Sequence, residues 1–135
     1  VNAVHHPDHY NTHPFYTGEC WDYLENLPTL RSHAFKYIWR YNDKGTPAQD
    51  VHKAIAYLNR ADRQYATQGA EHGPHHWATY DNLHKQLQNE DKLDTLSRTD
   101  KLAAVLLTLI ACPDIEPATL VSVAERLAEH IKDEQ

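Results

Sequence analysis

Three cations recur at helical spacing within one short stretch. In residues 32–44, SHAFKYIWRYNDK, the side chains of Lys36, Arg40 and Lys44 stand at i, i+4 and i+8, which on a helix makes a cationic rail. Such a rail on an otherwise acidic protein could hold a polyanion such as a phosphate chain, and a plain solvated face is the alternative. Further on, Asp50, Lys53, Tyr57 and Arg60 repeat at helical spacing on the flank of a second apolar stripe. If the two segments pair, these residues meet the first rail.

Other chemistries find less support. There is no G-x-x-x-x-G-K-[ST] sequence, and the four glycines are too scattered to cradle a phosphate, which excludes a P-loop enzyme. G-x-S-x-G is absent, and neither Cys20 nor Cys112 has the local setting of a nucleophile. His5, His6, His9 and His13, with Asp8, lie in a proline-punctuated arm whose spacing matches no standard zinc pattern, and His72, His75 and His76 match none either. A histidine-rich surface is the expectation, with no metal site assigned. Among the acids, Glu19 and Asp22 form an i, i+3 pair of the kind that all-helical triphosphate hydrolases use around magnesium. Capping of a short helix competes with that role. Glu90, Asp91 and Asp94 sit in a polar stretch and read as solvated.

The elements that must position these groups are helical. Residues 1–18 have no period, and Pro7 and Pro14 oppose a helix, so an extended arm is expected that orders if its aromatics find a surface. Residues 19–27 suggest a short helix ended by Pro28, with Cys20, Tyr23, Leu24 and Leu27 inward. The central helix, 32–44, takes Ser32 as N-cap and Gly45 as left-handed terminator, with Ala34, Phe35, Ile38, Trp39 and Tyr41 toward a core. Thr46-Pro47 then opens a helix to about residue 67, with Val51, Ala54, Ile55, Leu58, Ala61 and Tyr65 on its apolar stripe. A short Gly-containing loop between two helices makes an antiparallel hairpin, which brings Lys53, Tyr57 and Arg60 near Lys36 and Arg40.

Residues 68–76, QGAEHGPHH, read as a linker. Beyond it come an amphipathic helix over 77–93 with Tyr80, Leu83, His84 and Leu87 buried, and a nearly all-apolar one over 96–111 capped by Ser97 or Thr99. A last helix runs from Glu116-Pro117 to about residue 132, with Leu120, Val123, Ala124, Leu127 and Ile131 on one face. No useful alternating run occurs. The fold class expected is therefore all-α, a compact bundle of five or six helices with an extended N-terminal arm, divided into a helical domain over 1–67, the linker, and a C-terminal helical half over 77–135 packed on it.

The 135 residues suit one compact unit. A net charge of −6 and a pI near 6.0 argue against a general nucleic-acid binder, so any anion site must be local. No run is long enough to span a bilayer, and no charged-then-apolar leader stands at Val1, so no membrane partner and a cytoplasmic location are the expectations.

Four groups of residues occur together: Asp8-His9-Tyr10-Asn11; Gly18-Glu19-Cys20 with Asp22; Phe35 to Tyr41 with Lys44-Gly45; and Asp50 with Lys53-Ala54 and Tyr57-Leu58. In this order they resemble a small phage domain family whose characterised branch is the podophage nucleotide kinase, an enzyme without a P-loop. The resemblance covers about residues 5–61; Thr46-Pro47 departs from its pattern, and the chain from Gln68 onward resembles nothing identified. It implies phosphoryl transfer from a triphosphate such as ATP to a deoxynucleoside monophosphate, a homo-oligomer, and the cytoplasm of an infected host, with protein cations standing in for metal.

Under that resemblance Lys36, Arg40, Lys44 and Lys53 supply positive charge. Tyr10, Tyr37 and Tyr57 meet base and sugar, and His9 and Asn11 orient a phosphate or the attacking oxygen. Glu19 or Asp22 holds a ribose hydroxyl or magnesium, a requirement that stays open. A nucleoside monophosphate kinase is the leading expectation. An all-α nucleoside triphosphate pyrophosphatase, in which acids dominate, and a non-catalytic protein that sequesters a nucleotide are the alternatives.

Overall fold

The computed structural model describes residues 12–43 and 45–134, and these are all-helical. Seven helices follow in order: α1 Cys20–Leu24, α2 Thr29–Trp39, α3 Pro47–Gln68, α4 Trp77–Leu87, α5 Glu90–Leu93, α6 Arg98–Ala111 and α7 Pro117–Glu134. Helix α2 lies against α3 and α6, α3 against α7, and α6 against α4 and α7. One core runs through all of it. Phe35, Ile38, Val51, Ala54 and Leu58 from the first part meet Leu83, Leu106, Leu107, Leu120 and Leu127 from the second. No described helix is long and apolar enough to cross a membrane.

The helical period placed most inward positions correctly, because the apolar stripe of each helix must face the others to leave water. Ala34, Phe35, Ile38, Trp39 and Tyr41 are buried, as are Val51, Ala54, Leu58 and Ala61, and the arm's Phe15 and Tyr16. Tyr65, expected inward, is exposed. His84 is also exposed, and Thr79 is buried beside Leu83 instead. The stretch 77–93 is not one helix: it stops at Leu87, and Asn89 restarts the chain by accepting the Lys92 N–H at 3.2 Å. That break divides the expected helix in two, so the described residues hold seven helices where five or six were expected.

The central helix is shifted toward the N-terminus. It begins at Thr29, so Ser32 is already inside it, with its N–H on Pro28 O and its hydroxyl donating to Thr29 O at 2.6 Å. It ends at Trp39 rather than near Gly45. The cause is tertiary: buried Tyr41 donates its hydroxyl to Asp100 on α6, and Asn42 Nδ2 donates to the same carboxylate oxygen at 2.9 Å. Those bonds draw the chain off the helical path. Gly45 still takes a positive φ of 73°, in the loop ahead of α3.

Of the stretch 68–76, which reads as a linker, Gln68 still belongs to α3, and the remainder is a strap stitched to the bundle at each end. Gly69, in the left-handed conformation, terminates α3. Thr29 N donates to His72 O at 2.9 Å, His72 N to Gln64 Oε1 at 3.0 Å, and His76 N to Asn26 O at 3.4 Å. At its centre Glu71 reaches inward to Arg31, whose side chain is 1% exposed. Arg31 Nε bonds both carboxylate oxygens at 2.9 Å, Nη1 donates to Ile110 O at 3.0 Å and Cys112 O at 3.3 Å, and Nη2 reaches Ile115 O and Glu71 Oε2. His75 Nε2 donates to Ala111 O at 3.0 Å. Carbonyls left over at the C-terminus of α6 are thus taken up by side chains from α2 and the strap.

Two stability predictions follow. Glu71→Gln leaves a buried guanidinium without its counter-charge and is expected to cost about 3–5 kcal/mol, measured by urea unfolding. Gly73→Ala, at φ +109° with a Cβ that would sit 3.1 Å from Pro28 Cα and Thr29 N, is expected to lose about 1–3 kcal/mol in the same assay.

Candidate functional site

Helices α2 and α3 pair as a hairpin, and their outer side carries the charged residues that the sequence set apart. Arg40 Cζ lies 4.8 Å from the Tyr37 ring centroid, Lys53 Nζ 5.5 Å and Lys36 Nζ 5.8 Å. Cations from both helices therefore gather round one aromatic ring, whose quadrupole offsets part of their mutual repulsion. Tyr37 stacks on Tyr57 (5.9 Å, 18°), and Tyr57 on His33 (4.7 Å, 17°), giving a column of three rings along the α2–α3 seam.

Two hollows open along this column. One, of about 310 Å³, is lined by Tyr37, Lys53, Ala56, Tyr57 and Arg60. The other, of about 500 Å³, is lined by Thr29, Leu30, His33, Tyr57, Arg60, Arg63 and Gln64. Both fall in the size range of small-molecule sites. Tyr57 and Arg60 belong to both, so the two adjoin.

The cations differ in exposure. Lys53, Arg60 and Arg63 are exposed, Lys36 is half-buried, and Arg40 is buried at the C-terminal end of α2. Arg40 Nε stands 3.8 Å from Asp50 Oδ2, and that carboxylate is buried as well. Arg40 is therefore no solvated rail residue, and Asp50 is no flank residue. Together they form a buried pair whose arginine meets the Tyr37 ring, while Lys36 and Lys53 are the more accessible cations around it.

The acids take another role. Asp22 Oδ2 accepts the Glu19 N–H at 2.9 Å, and the Asp22 N–H returns to Glu19 O at 3.0 Å, so this pair organises the start of α1. Among the described residues no three His, Cys, Asp or Glu side chains come together as a metal site. Cys20, buried beside α2, has its thiol pushed up to about 12 by burial, against the opposing pull of Lys36 and Arg40, which leaves it unreactive at neutral pH. His9, Tyr10, Asn11 and Lys44 lie outside the described residues.

His13 marks where the arm meets α2. Its Nδ1 accepts the N–H groups of Phe15 (3.0 Å) and Tyr16 (3.1 Å), and its ring packs on Trp39 at 4.7 Å. Only an unprotonated Nδ1 can accept, and burial, followed by the nearby Lys92 charge, lowers its pKa to about 4. His33 is also held below the ordinary imidazole value, by burial and then by Lys36, so the positive charge of the larger hollow comes from arginine.

The site contains His33, Arg63 and Gln64, which the sequence pattern did not single out, beside Arg60, which it brings near Lys36 and Arg40 without a role of its own. The signal was present in part, since Arg60, Arg63 and Gln64 extend the Lys53–Tyr57 stripe at i+3 and i+4. His33 had no such signal. No protein-family model, curated protein or solved structure matches the chain closely enough to bear on its function.

Two measurements check this geometry. Asp50→Asn is expected to destabilise the protein by about 3 kcal/mol, because the buried Arg40 loses the carboxylate beside it, whereas Lys53→Ala on the exposed wall should stay within about 0.5 kcal/mol of wild type. For His13 the folded pKa lies below the unfolded value near 6.5, so the unfolded chain takes up the proton first. Stability from the neutral ring is complete above pH 6.5 and should fall as pH drops toward 4, by up to about 3 kcal/mol. Urea unfolding at stepped pH should show that slope in wild type and a flatter one in His13→Phe.

Proposed function

We propose that the α2–α3 seam binds a phosphorylated nucleoside and that the protein is a nucleotide phosphotransferase, most concretely a nucleoside monophosphate kinase. The observation that carries this reading is the gathering of Lys36, Arg40 and Lys53 within 5.8 Å of the Tyr37 ring, beside a hollow walled by Tyr37, Tyr57 and Arg60. In a protein of net charge −6, a local excess of cations over an aromatic wall favours a ligand that is anionic at one end and flat at the other. A nucleotide has that form. The resemblance to the phage nucleotide-kinase family points the same way.

The chemistry makes modest demands on side chains. Phosphoryl transfer depends on alignment and on neutralising charge over the phosphate oxygens. A monophosphate is mostly a dianion near neutral pH, its second pKa being about 6, so its oxygen can attack the terminal phosphorus of the triphosphate without a base. The bond from that phosphorus to its bridging oxygen breaks, and two nucleoside diphosphates result. Arg40, fixed by Asp50 and the Tyr37 face, contributes a preorganised field, while Lys36 and Lys53 are placed to touch phosphate oxygens. The acid-centred pyrophosphatase alternative is weaker, because Asp22 is occupied in ordering α1.

The test is formation of ADP from ATP with each of the four common deoxynucleoside monophosphates, followed by chromatography. One or more should be converted, and Lys53→Ala should lower kcat/KM about tenfold or more, since a charge-assisted contact is worth about 1.5–3 kcal/mol. Absence of turnover with every acceptor, together with no binding heat for any nucleotide, would sink the proposal.

A further inference from the structure

The larger hollow is the part of the surface that the reading above leaves without a role. Arg60 and Arg63, three positions apart on α3, both line it and both are exposed, and neither pairs with a carboxylate among the described residues. Two guanidinium groups side by side repel each other, and a bidentate anion between them removes that repulsion. The rest of the lining is built and not merely open surface. Gln64 is held by the His72 N–H at 3.0 Å, His33 is stacked on Tyr57, and Thr29 is fixed by its bond to His72 O.

The two hollows differ in what they offer. The smaller one is walled by tyrosine rings and Ala56 around Lys53, which suits a nucleoside carrying one phosphate. At about 500 Å³, with two arginines, a glutamine amide and a neutral histidine, the larger suits a longer chain of phosphates. Arg60 stands on the wall they share, where a transferring group would pass.

We infer that the hollow of His33, Arg60, Arg63 and Gln64 is a polyphosphate subsite, distinct from the Tyr37–Lys53 hollow, and that it takes the triphosphate of the phosphoryl donor. Its assignment to a donor rests on the nucleotide reading; its preference for polyphosphate does not. Arg63 holds the far end of the chain and Arg60 the end nearest the acceptor.

Inorganic tripolyphosphate is the probe that separates the two. Calorimetric titration into the 135-residue chain should show binding that Arg63→Ala weakens about tenfold or more. Lys53→Ala should leave it within about twofold, and a saturating deoxynucleoside monophosphate should not displace it. Arg63→Ala removes an exposed side chain, and an unchanged urea midpoint confirms that the variant folds. The subsite is overturned if wild type does not bind tripolyphosphate, if Lys53→Ala weakens binding as much as Arg63→Ala, or if the monophosphate competes. Tripolyphosphate binding with the expected Arg63 dependence, in a protein that binds no nucleotide, would uphold the subsite and refute the kinase. Kinase turnover that Arg63→Ala leaves unaltered would do the reverse.

Discussion

A single buried guanidinium sets the geometry on which the rest depends. An arginine can leave water only if its charge is matched and its five N–H donors find acceptors. Arg31 meets both conditions by drawing in Glu71 from the strap, the carbonyls of Ile110 and Cys112 at the end of α6, and Ile115 ahead of α7. Few arrangements of those four pieces satisfy it. Because Arg31 stands on the first turns of α2, the same bonds set the rotation of that helix about its axis, and so which of its side chains face the α3 seam.

The strap gains its order from this centre. Once Glu71 is drawn inward, the backbone on either side lies within reach of the start of α2, and the Thr29, His72 and Gln64 bonds close over the end of α3. Gly73 approaches Pro28 so closely that a side chain would press on the backbone of Pro28 and Thr29, and its positive φ adds strain. Gly73 here serves close packing, and His72 and His75 serve hydrogen bonds to the bundle, although the same composition elsewhere would accompany a loose connection.

Charge on the seam is arranged in depth. Arg40 lies buried, with Asp50 on one side and the face of Tyr37 on another. Lys36 and Lys53 flank the ring, and Arg60 and Arg63 continue along α3. A short row of cations can persist on an acidic protein because the Tyr37 ring offers Lys36, Arg40 and Lys53 some compensation and solvent screens the exposed ones. That row runs beside the two adjoining hollows of the seam.

Helical period was legible in the sequence wherever it depended on near neighbours. Phe35, Ile38, Val51, Leu58, Leu120 and Leu127 are inward because residues three and four apart share a helix face whatever the remainder of the chain does. The all-α class followed from that alone, and so did the approach of Lys53 and Tyr57 to Lys36 and Arg40, since a short loop leaves paired helices little choice. Tertiary structure decided the rest. Arg31 finds its partners 40, 79 and 84 positions away, and no local pattern announces that a charge will be buried there. Asp100 ends α2 early from across the fold, Arg40 and Asp50 are buried together, and His33 joins Tyr57 only once the hairpin closes. Periodicity records which residues share a face; desolvated charges and ring stacks depend on which distant groups arrive to meet them.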